Sequence, residues 1–289
     1  EIPMEEIRSH LQSEYGVSYN SNQWIYTQLR RYEEEIGVKL FSKHSNGDDK
    51  RNFSISVYGD MVRFHQKKHL YVSQKLKVAN GVYDTIRNLV DCSRLDRPLA
   101  LLLGAGTSIY HLADILAKNS WESDIRYDIY THNVGLLQTF LNEGVNYENV
   151  RLSVLNGRID PNTYTIVNEC QDFFTGRDFD FIVQGTSCVY DGKLYIESRE
   201  ERKVKEAILT SCRGTKILVL TKHEFLDHPL SDIEPYGEVT DYDFIVVPRS
   251  RREEKTRKGY ERRFFDTMED LKPEIKNWNY SVYAIEGQG

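Results

Sequence analysis

The chain has 289 residues, 39% hydrophobic and 28% charged, with a formal charge of −6, which allows two domains with ordinary globular cores. No apolar run approaches the ~20 residues that a membrane span needs and no signal peptide is visible. The four cysteines (Cys92, Cys170, Cys188, Cys212) are scattered, without a C-x-x-C or a nearby Cys/His pair. That pattern argues against a zinc site and predicts reduced core thiols in a cytoplasmic protein with no membrane partner, metal or cofactor. The negative charge argues against a general nucleic-acid binder, but it is unevenly placed. Residues 1–80 carry 12 Lys+Arg against 10 Asp+Glu, and the remainder carries 26 against 34. The first quarter is the electropositive part, which suits an acidic partner weakly.

Met4, Ile7 and Leu11 recur at helical spacing up to Tyr15 and Gly16. Asn20, Ser21 and Asn22 offer N-caps for a second helix over 23–36, with Trp24, Ile25, Leu29, Tyr32 and Ile36 for its buried side and Gly37 as its stop. A strand over 38–42, a polar turn over 44–51 and a strand over 53–57 follow. Helix, helix and two-stranded hairpin form the layout of a winged helix-turn-helix. The segment 28–66, QLRRYEEEIGVKLFSKHSNGDDKRNFSISVYGDMVRFHQ, resembles the recognition-helix end and wing of LysR-type regulators. The leucine–glutamate helix end, the Gly-Val-x-Leu-Phe stretch and the wing fall in one register. The resemblance implies DNA as a partner. Asn20, Ser21, Asn22, Gln23, Tyr26, Thr27 and Arg30 are then candidates for the major groove, and Arg31, Lys43, Lys50 and Arg51 for phosphates. The competing reading pairs Arg30 and Arg31 with Glu33, Glu34 and Glu35 on a solvated helix face, or uses the winged helix for protein contacts.

Over 60–90, Val62, His69, Leu76, Tyr83 and Val90 recur every seven residues, with His65, Val72, Ala79 and Ile86 three further on. That a/d seam predicts a linker helix that joins two copies into a homodimer or higher homo-oligomer. The alternative is a helix packed on its own domain.

Residues 99–116, LALLLGAGTSIYHLADIL, predict a buried strand, a turn at Gly104 and Gly106, and a helix from Thr107 and Ser108 whose apolar face is Leu112, Ile115 and Leu116. A helix start leaves unpaired N–H groups and partial positive charge, which favour an anion. The bland reading is an ordinary strand-to-helix turn capped by Thr or Ser. Ile109 stands where a dinucleotide motif has its third glycine and no G-K-[ST] follows, so neither a dinucleotide fold nor a P-loop is expected. Further strands are predicted over 128–130, 150–155, 179–183, 216–220, 244–247 and 281–285, with helices over 134–142, 198–213 and 262–276. This alternation predicts an α/β sheet covered on both faces. Ligands of such sheets bind at the carboxyl ends of strands. Thr107 and Ser108, Thr131 and Asn133, and Gly185, Thr186 and Ser187 all follow predicted strands there, which makes one rim for a small anion.

Five segments, LLLGAGTS, IYTHN, VRLSVLNGRIDPNTYTIVN, FDFIVQGTSCV and ESREERKVKEAILTSCRGTKILVLTKHEF, resemble in order the effector domain of DeoR-type regulators. That domain shares a superfamily with ribose-phosphate isomerases, coenzyme A transferases and translation-initiation-factor subunits. The resemblance implies a sensor with a DeoR/ribose-phosphate isomerase-like sheet. It implies a sugar phosphate among Gly106, Thr107, Ser108, Thr131, Asn133, Glu201 and Lys205, the lysine acting as a phosphate cation. The competing reading makes Lys205 a solvated member of the charged run around it. Two departures stand out. Gln184-Gly185-Thr186-Ser187 replaces the family's Gly-Ala-Asp-Gly, and Thr221-Lys222-His223-Glu224-Phe225 displaces its lysine. Lys222 and Arg158 are additional anion contacts. The segment 249–263, with eight basic and three acidic residues, reads as a solvated loop. The acid-rich loop and triple glycine of the isomerase relatives are absent, so the expectation is no enzyme but a ligand-responsive transcription regulator. Its expected parts are a winged helix-turn-helix over 1–58, a linker over 59–92 and an α/β sensor domain over 93–289. The alternatives are an isomerase-like enzyme and a non-catalytic assembly protein.

Overall fold

A computed structural model of the chain describes residues 1–19, 21–36, 39–45, 53–57, 63–90, 96–122, 125–142, 144–168, 176–226, 233–249 and 273–285. The chain divides into two compact units, Glu1–Leu70 and Tyr71–Gly289.

The first unit runs β1 (Ile2–Pro3), α1 (Met4–Tyr15), α2 (Asn22–Ile36), β2 (Phe41–Ser45), β3 (Phe53–Val57) and α3 (Phe64–Lys67). Its strands form an antiparallel sheet in the order β1-β3-β2. Met4, Ile25, Phe53 and Ile55 are its buried centre, with Ile7, Leu11 and Leu29 packed around them. Gly16 ends α1 in the left-handed conformation, φ 67°, which glycine adopts without cost. Glu33 is buried, and its carboxylate accepts N–H bonds from Leu40 at 2.7 Å and Phe41 at 2.8 Å. A buried charge is tolerated only when it is bonded in this way, so Glu33 fixes where β2 leaves α2. The pattern of 23–36 placed Trp24 and Tyr32 inside. Both are exposed, and Trp24 instead stacks on Tyr19 with ring centroids 4.5 Å apart. The unit is small, and Ile25 and Leu29 already fill its single core.

The second unit runs α4 (Val72–Leu89), β4 (Leu99–Leu103), α5 (Thr107–Asn119), β5 (Tyr127–Thr131), α6 (Val134–Asn142), β6 (Val150–Val154), β7 (Arg158–Asp160), β8 (Thr165–Val167), β9 (Asp178–Gly185), β10 (Cys188–Tyr190), β11 (Lys193–Tyr195), α7 (Arg199–Ser211), β12 (Arg213–Val219), β13 (Gly237–Glu238), β14 (Phe244–Pro248), β15 (Pro273–Lys276) and β16 (Tyr280–Ala284). Eight strands make a mixed sheet in the order β15-β16-β14-β12-β9-β4-β5-β6. The pairings from β6 to β14 are parallel, and β16 and β15 add antiparallel. Alternation along the strands sends Leu101, Leu103 and Val183 toward α4 and α5, where they meet Val78, Val82, Ile109 and Leu112. Leu102 and Ile182 point to the other face, against Val204 and Ile208 of α7. Both faces are therefore covered by helices, as parallel strands require.

Two expected helices differ from the observed elements. The helix over 60–90 is two helices, α3 and α4, with Tyr71 between them at φ 56°. The seam residues Ala79, Tyr83 and Ile86 are buried in the unit's own core, so α4 packs on its own sheet rather than on a second copy. A seven-residue repeat and a 3.6-residue core stripe differ by only ~20° per heptad, too little to separate over one short helix. The helix over 262–276 is replaced at its end by the edge strand β15. Residues 250–272, which hold most of the basic run, lie outside the described residues, as do Cys92 and Cys170. Cys188 and Cys212 are buried and stand outside any disulfide. Burial pushes their thiols up to about 12 and about 11, so they are inert core groups. No helix among the described residues is long and apolar enough to cross a membrane.

At the amino ends of β4 and β9, Arg97 grips Asp180 with two bonds of 2.7 and 2.6 Å, and the Ala100 N–H adds a third at 2.8 Å. Burial raises the Asp180 carboxyl, but the Arg97 and Ala100 bonds and the Arg97 charge outweigh it and leave it below its ordinary value. At the start of α4, Tyr71 stacks on His223, and Gln74 Oε1 accepts the Lys222 N–H at 3.2 Å.

Candidate functional site

The carboxyl ends of β4, β5 and β9 lie side by side. Gly104 follows β4, and a Cβ there would stand 3.1 Å from the Val183 carbonyl oxygen and 3.3 Å from Gln184 Cγ. Any side chain there would make these neighbours give by a few tenths of an ångström, so glycine suits the close approach. Gly106 is the N-cap of α5 at φ 115°. The Thr or Ser cap of the bland reading is therefore absent: Thr107 and Ser108 are the first helical residues, and no side chain caps the helix. Its first-turn N–H groups face the rim, which keeps the electropositive end of α5 available there.

Thr131 and Asn133 are brought to this turn, but both are bonded within the protein. Thr131 Oγ1 donates to the Leu103 carbonyl at 2.7 Å and accepts the Asn133 N–H at 3.1 Å. Asn133 Nδ2 donates to the Gly106 carbonyl at 3.0 Å, and its Oδ1 accepts the Leu136 N–H at 3.3 Å. Both side chains hold the rim in shape. His132, which carries no motif of its own, is fully buried, and its Nε2 accepts the Ala105 N–H at 3.2 Å. Burial and then the charge of Lys205 push its imidazole down to about 3, so it stands neutral across the physiological range.

At the end of β9, Gly185, Thr186 and Ser187 are half-buried. Thr186 Oγ1 donates to the Tyr195 carbonyl at 2.7 Å. Beneath them lies Lys205, at 0% exposure. The register of α7 turns Glu201, Val204, Lys205 and Ile208 toward the sheet, so the solvated reading of Lys205 does not hold. Its Nζ donates to the Gly185 carbonyl at 2.7 Å and lies 3.6 Å from Glu201 Oε1. Burial lowers the Lys205 ammonium while Glu201 opposes the shift. Tyr236 closes this floor, its hydroxyl donating to the Gly185 carbonyl at 3.3 Å. The bends form one edge, and its floor is filled by protein. The groove described in this unit, about 440 Å³ and lined by Val72, Leu76, Lys77 and Asn279 among others, lies on α4 instead. Of the additional anion contacts, Arg158 is exposed on β7, and Lys222 is held at α4 through its N–H.

In the first unit, several groove and phosphate candidates are engaged locally. Arg30 pairs with Glu33 at 2.8 Å. Thr27 Oγ1 donates to the Gln23 carbonyl at 2.9 Å. Lys43 Nζ lies 4.1 Å from the Phe53 ring centroid and 5.1 Å from that of Tyr26. Gln23 and Arg31 are exposed and Asn22 is half-buried, while Asn20, Lys50 and Arg51 lie outside the described residues.

No protein-family model and no curated protein matches the chain. The LysR-type and DeoR-type resemblances therefore acquire no matching family. Among solved structures, the chain is similar to a ribose-5-phosphate isomerase in complex with phospho-erythronic acid, with 11% identity, a TM-score of 0.36, and 73% of this chain and 77% of that one covered. It is similar to ribose 5-phosphate isomerase A from Methanocaldococcus jannaschii, with 10% identity, a TM-score of 0.35 and coverage of 74% and 80%. It is also similar to eIF2B delta from Chaetomium thermophilum, with 8% identity, a TM-score of 0.35 and coverage of 55% and 50%. The expectation of a non-enzyme is corrected by these neighbours, which include several isomerases. Likeness at this level assigns neither a reaction nor a ligand to the chain.

Proposed function

We propose that the second unit binds a small phosphorylated sugar or related anion at the edge formed by Gly104, Gly106, Thr107, Ser108, Gly185, Thr186 and Ser187. One observation carries this reading: a fully buried ammonium, Lys205, sits under that edge with one carbonyl at 2.7 Å, one carboxylate at 3.6 Å and the Tyr236 ring centroid at 5.7 Å around it. Burying an ion costs several kcal/mol unless the geometry of its partners is good, and of these three contacts only the Gly185 carbonyl is a short hydrogen bond. An anion above it, held by the first-turn N–H groups of α5, completes the balance. The test is thermal and calorimetric titration with ribose 5-phosphate, inorganic phosphate and ribose. A phosphorylated ligand at 100-fold its Kd raises stability by about 2.7 kcal/mol. The double variant Lys205→Met with Glu201→Gln, which strands no buried carboxylate, loses that gain. Lack of stabilisation by either phosphorylated probe overturns the reading. Turnover of ribose 5-phosphate would extend it from binding to catalysis.

We further propose that the first unit contacts DNA, with Gln23 and Arg31 on the exposed side of α2. The support is the helix–helix–hairpin order and the positive balance of residues 30–70, 9 Lys+Arg against 6 Asp+Glu. The salt slope of binding falls by about 0.9 for every DNA phosphate that the protein ceases to neutralise. Arg31→Ala should therefore weaken binding to all sequences alike in polarisation titrations over salt. DNA affinity that is unmeasurable at low salt removes this part.

A further inference from the structure

Trp24 leaves a large uncharged ring 47% exposed near the start of α2, on a helix whose inner side is already filled by Ile25 and Leu29. The ring is nevertheless held in place. One face lies against Tyr19, with centroids 4.5 Å apart and planes 27° from parallel, and the Trp24 N–H donates to the Ser21 hydroxyl at 3.4 Å. A rigid aromatic with one open face suits a contact surface, because little rotamer freedom remains to be lost on docking. Charge along the helix says what it contacts. The first turn of α2 holds no acid. Thr27 and Arg31 follow Trp24 on the same side of the helix, three and seven residues on. The Thr27 hydroxyl is spent on the Gln23 carbonyl at 2.9 Å, and Arg31 is exposed. The exposed acids Glu34 and Glu35 come only at the carboxyl end. From the hairpin, Lys43 Nζ lies 5.1 Å from the Tyr26 ring centroid, next to the same end of the helix. A neutral aromatic tip flanked by cations fits a polyanion that carries apolar groups between its charges. The major groove of DNA is such a surface, with phosphates on its rims and thymine methyl groups on its floor.

We infer that Trp24 is a base-reading residue at the tip of α2, its open face packing on the C5-methyl group of thymine in duplex DNA. The inference rests on the DNA-contact reading of the first unit given above. Gln23, exposed beside it, carries the amide that matches N6 and N7 of adenine. Two consecutive side chains thus answer the two halves of an A·T pair. Arg31 and Lys43 answer phosphates, which position the protein and carry no sequence.

The test is polarisation titration of the full chain with two short duplexes, alternating dA·dT and alternating dA·dU, which differ in that methyl group alone and need no known operator. Burying one methyl group is worth about 4-fold in affinity, and the wild type is expected to prefer the dT duplex by about that factor. Trp24→Gln is expected to erase the preference and leave the salt slope unchanged, since it removes no charge. Arg31→Ala is expected to do the reverse, lowering the slope and keeping the preference. The double variant Trp121→Phe with Trp278→Phe leaves Trp24 as the sole fluorophore of the three tryptophans. Its emission is expected to be quenched more by the dT duplex than by the dU duplex, which decides the matter if Trp24→Gln does not fold. If neither duplex binds at low salt, the DNA-contact reading and this inference fall together. If both bind equally, or if Trp24→Gln keeps the preference, the inference alone falls. It also falls if single-stranded oligo-dT binds more tightly than the duplex through Trp24, which would make the ring a stacking platform.

Discussion

His132 shows how one buried side chain ties this fold to pH. Its imidazole is pushed down to about 3 from an ordinary 6.5, so below pH 6.5 the unfolded chain takes up a proton that the folded chain refuses. Stability from this group is complete above about 6.5 and is lost as pH falls toward about 3, at up to about 1.4 kcal/mol per unit. Urea midpoints at pH 7.5 and 5.0 should therefore fall apart in the wild type and draw together in His132→Gln, whose amide oxygen can still accept the Ala105 N–H. Equal spacing in both proteins would show that the proton goes elsewhere. Part of this neighbourhood was legible beforehand. The two glycines and the polar residues after each strand were visible as a pattern, and they do meet. Their individual duties were not, because Thr131 and Asn133 differ from ligand-facing residues only in what they bond to. His132 lay inside the quoted segment IYTHN but had no role read into it, since a lone histidine after a strand is most often ordinary core, and Gln184 stood out only as a departure from the family loop.

At the scale of elements, α4 is set by its glycine. A Cβ on Gly81 would stand 2.6 Å from Val246 Cγ1 and 2.9 Å from the Tyr280 ring. Alanine gains about 1 kcal/mol of helix propensity but overpacks the helix against β14 and β16, which costs about 1–3 kcal/mol. Gly81→Ala is therefore expected to lose net stability, with a melting temperature lower by a few degrees, roughly 2–4 °C per kcal/mol in a unit of this size. A rise would mean that α4 stands further off the sheet. The long apolar strands β4, β5, β9, β12 and β14 were all readable because a parallel sheet needs unbroken hydrophobic runs. The short hairpin of β7 and β8 and the three-stranded piece of β10, β11 and β13 were not, since strands of two or three residues offer too few positions for alternation to register. At residues 273–276 the pattern misled because the charged residues around Ile275 fit a helix period as well as an edge strand, which has a described partner on one side alone.

For the whole molecule, the acid limb of stability has a second contributor. Asp180, lowered from its ordinary 3.8 by Arg97 and Ala100 against the opposing effect of burial, contributes above that value and loses its contribution as pH falls below it. The pair is partly solvent-exposed, so Asp180→Asn should cost about 1 kcal/mol or less at pH 7, with most of the difference gone by pH 3 in the same urea titrations. A cost that grows on acidification would reverse the sign and refute the assignment. The opposite end of the sheet carries a different kind of tie. Tyr71, the first residue of the larger unit, rests on His223 while Gln74 holds the neighbouring amide. The turn after β12 is further stitched to β10 through the Glu224 and Leu226 backbones. Val189, two residues past Ser187, thus bonds the neighbour of the very residue on which the entry point of this body rests.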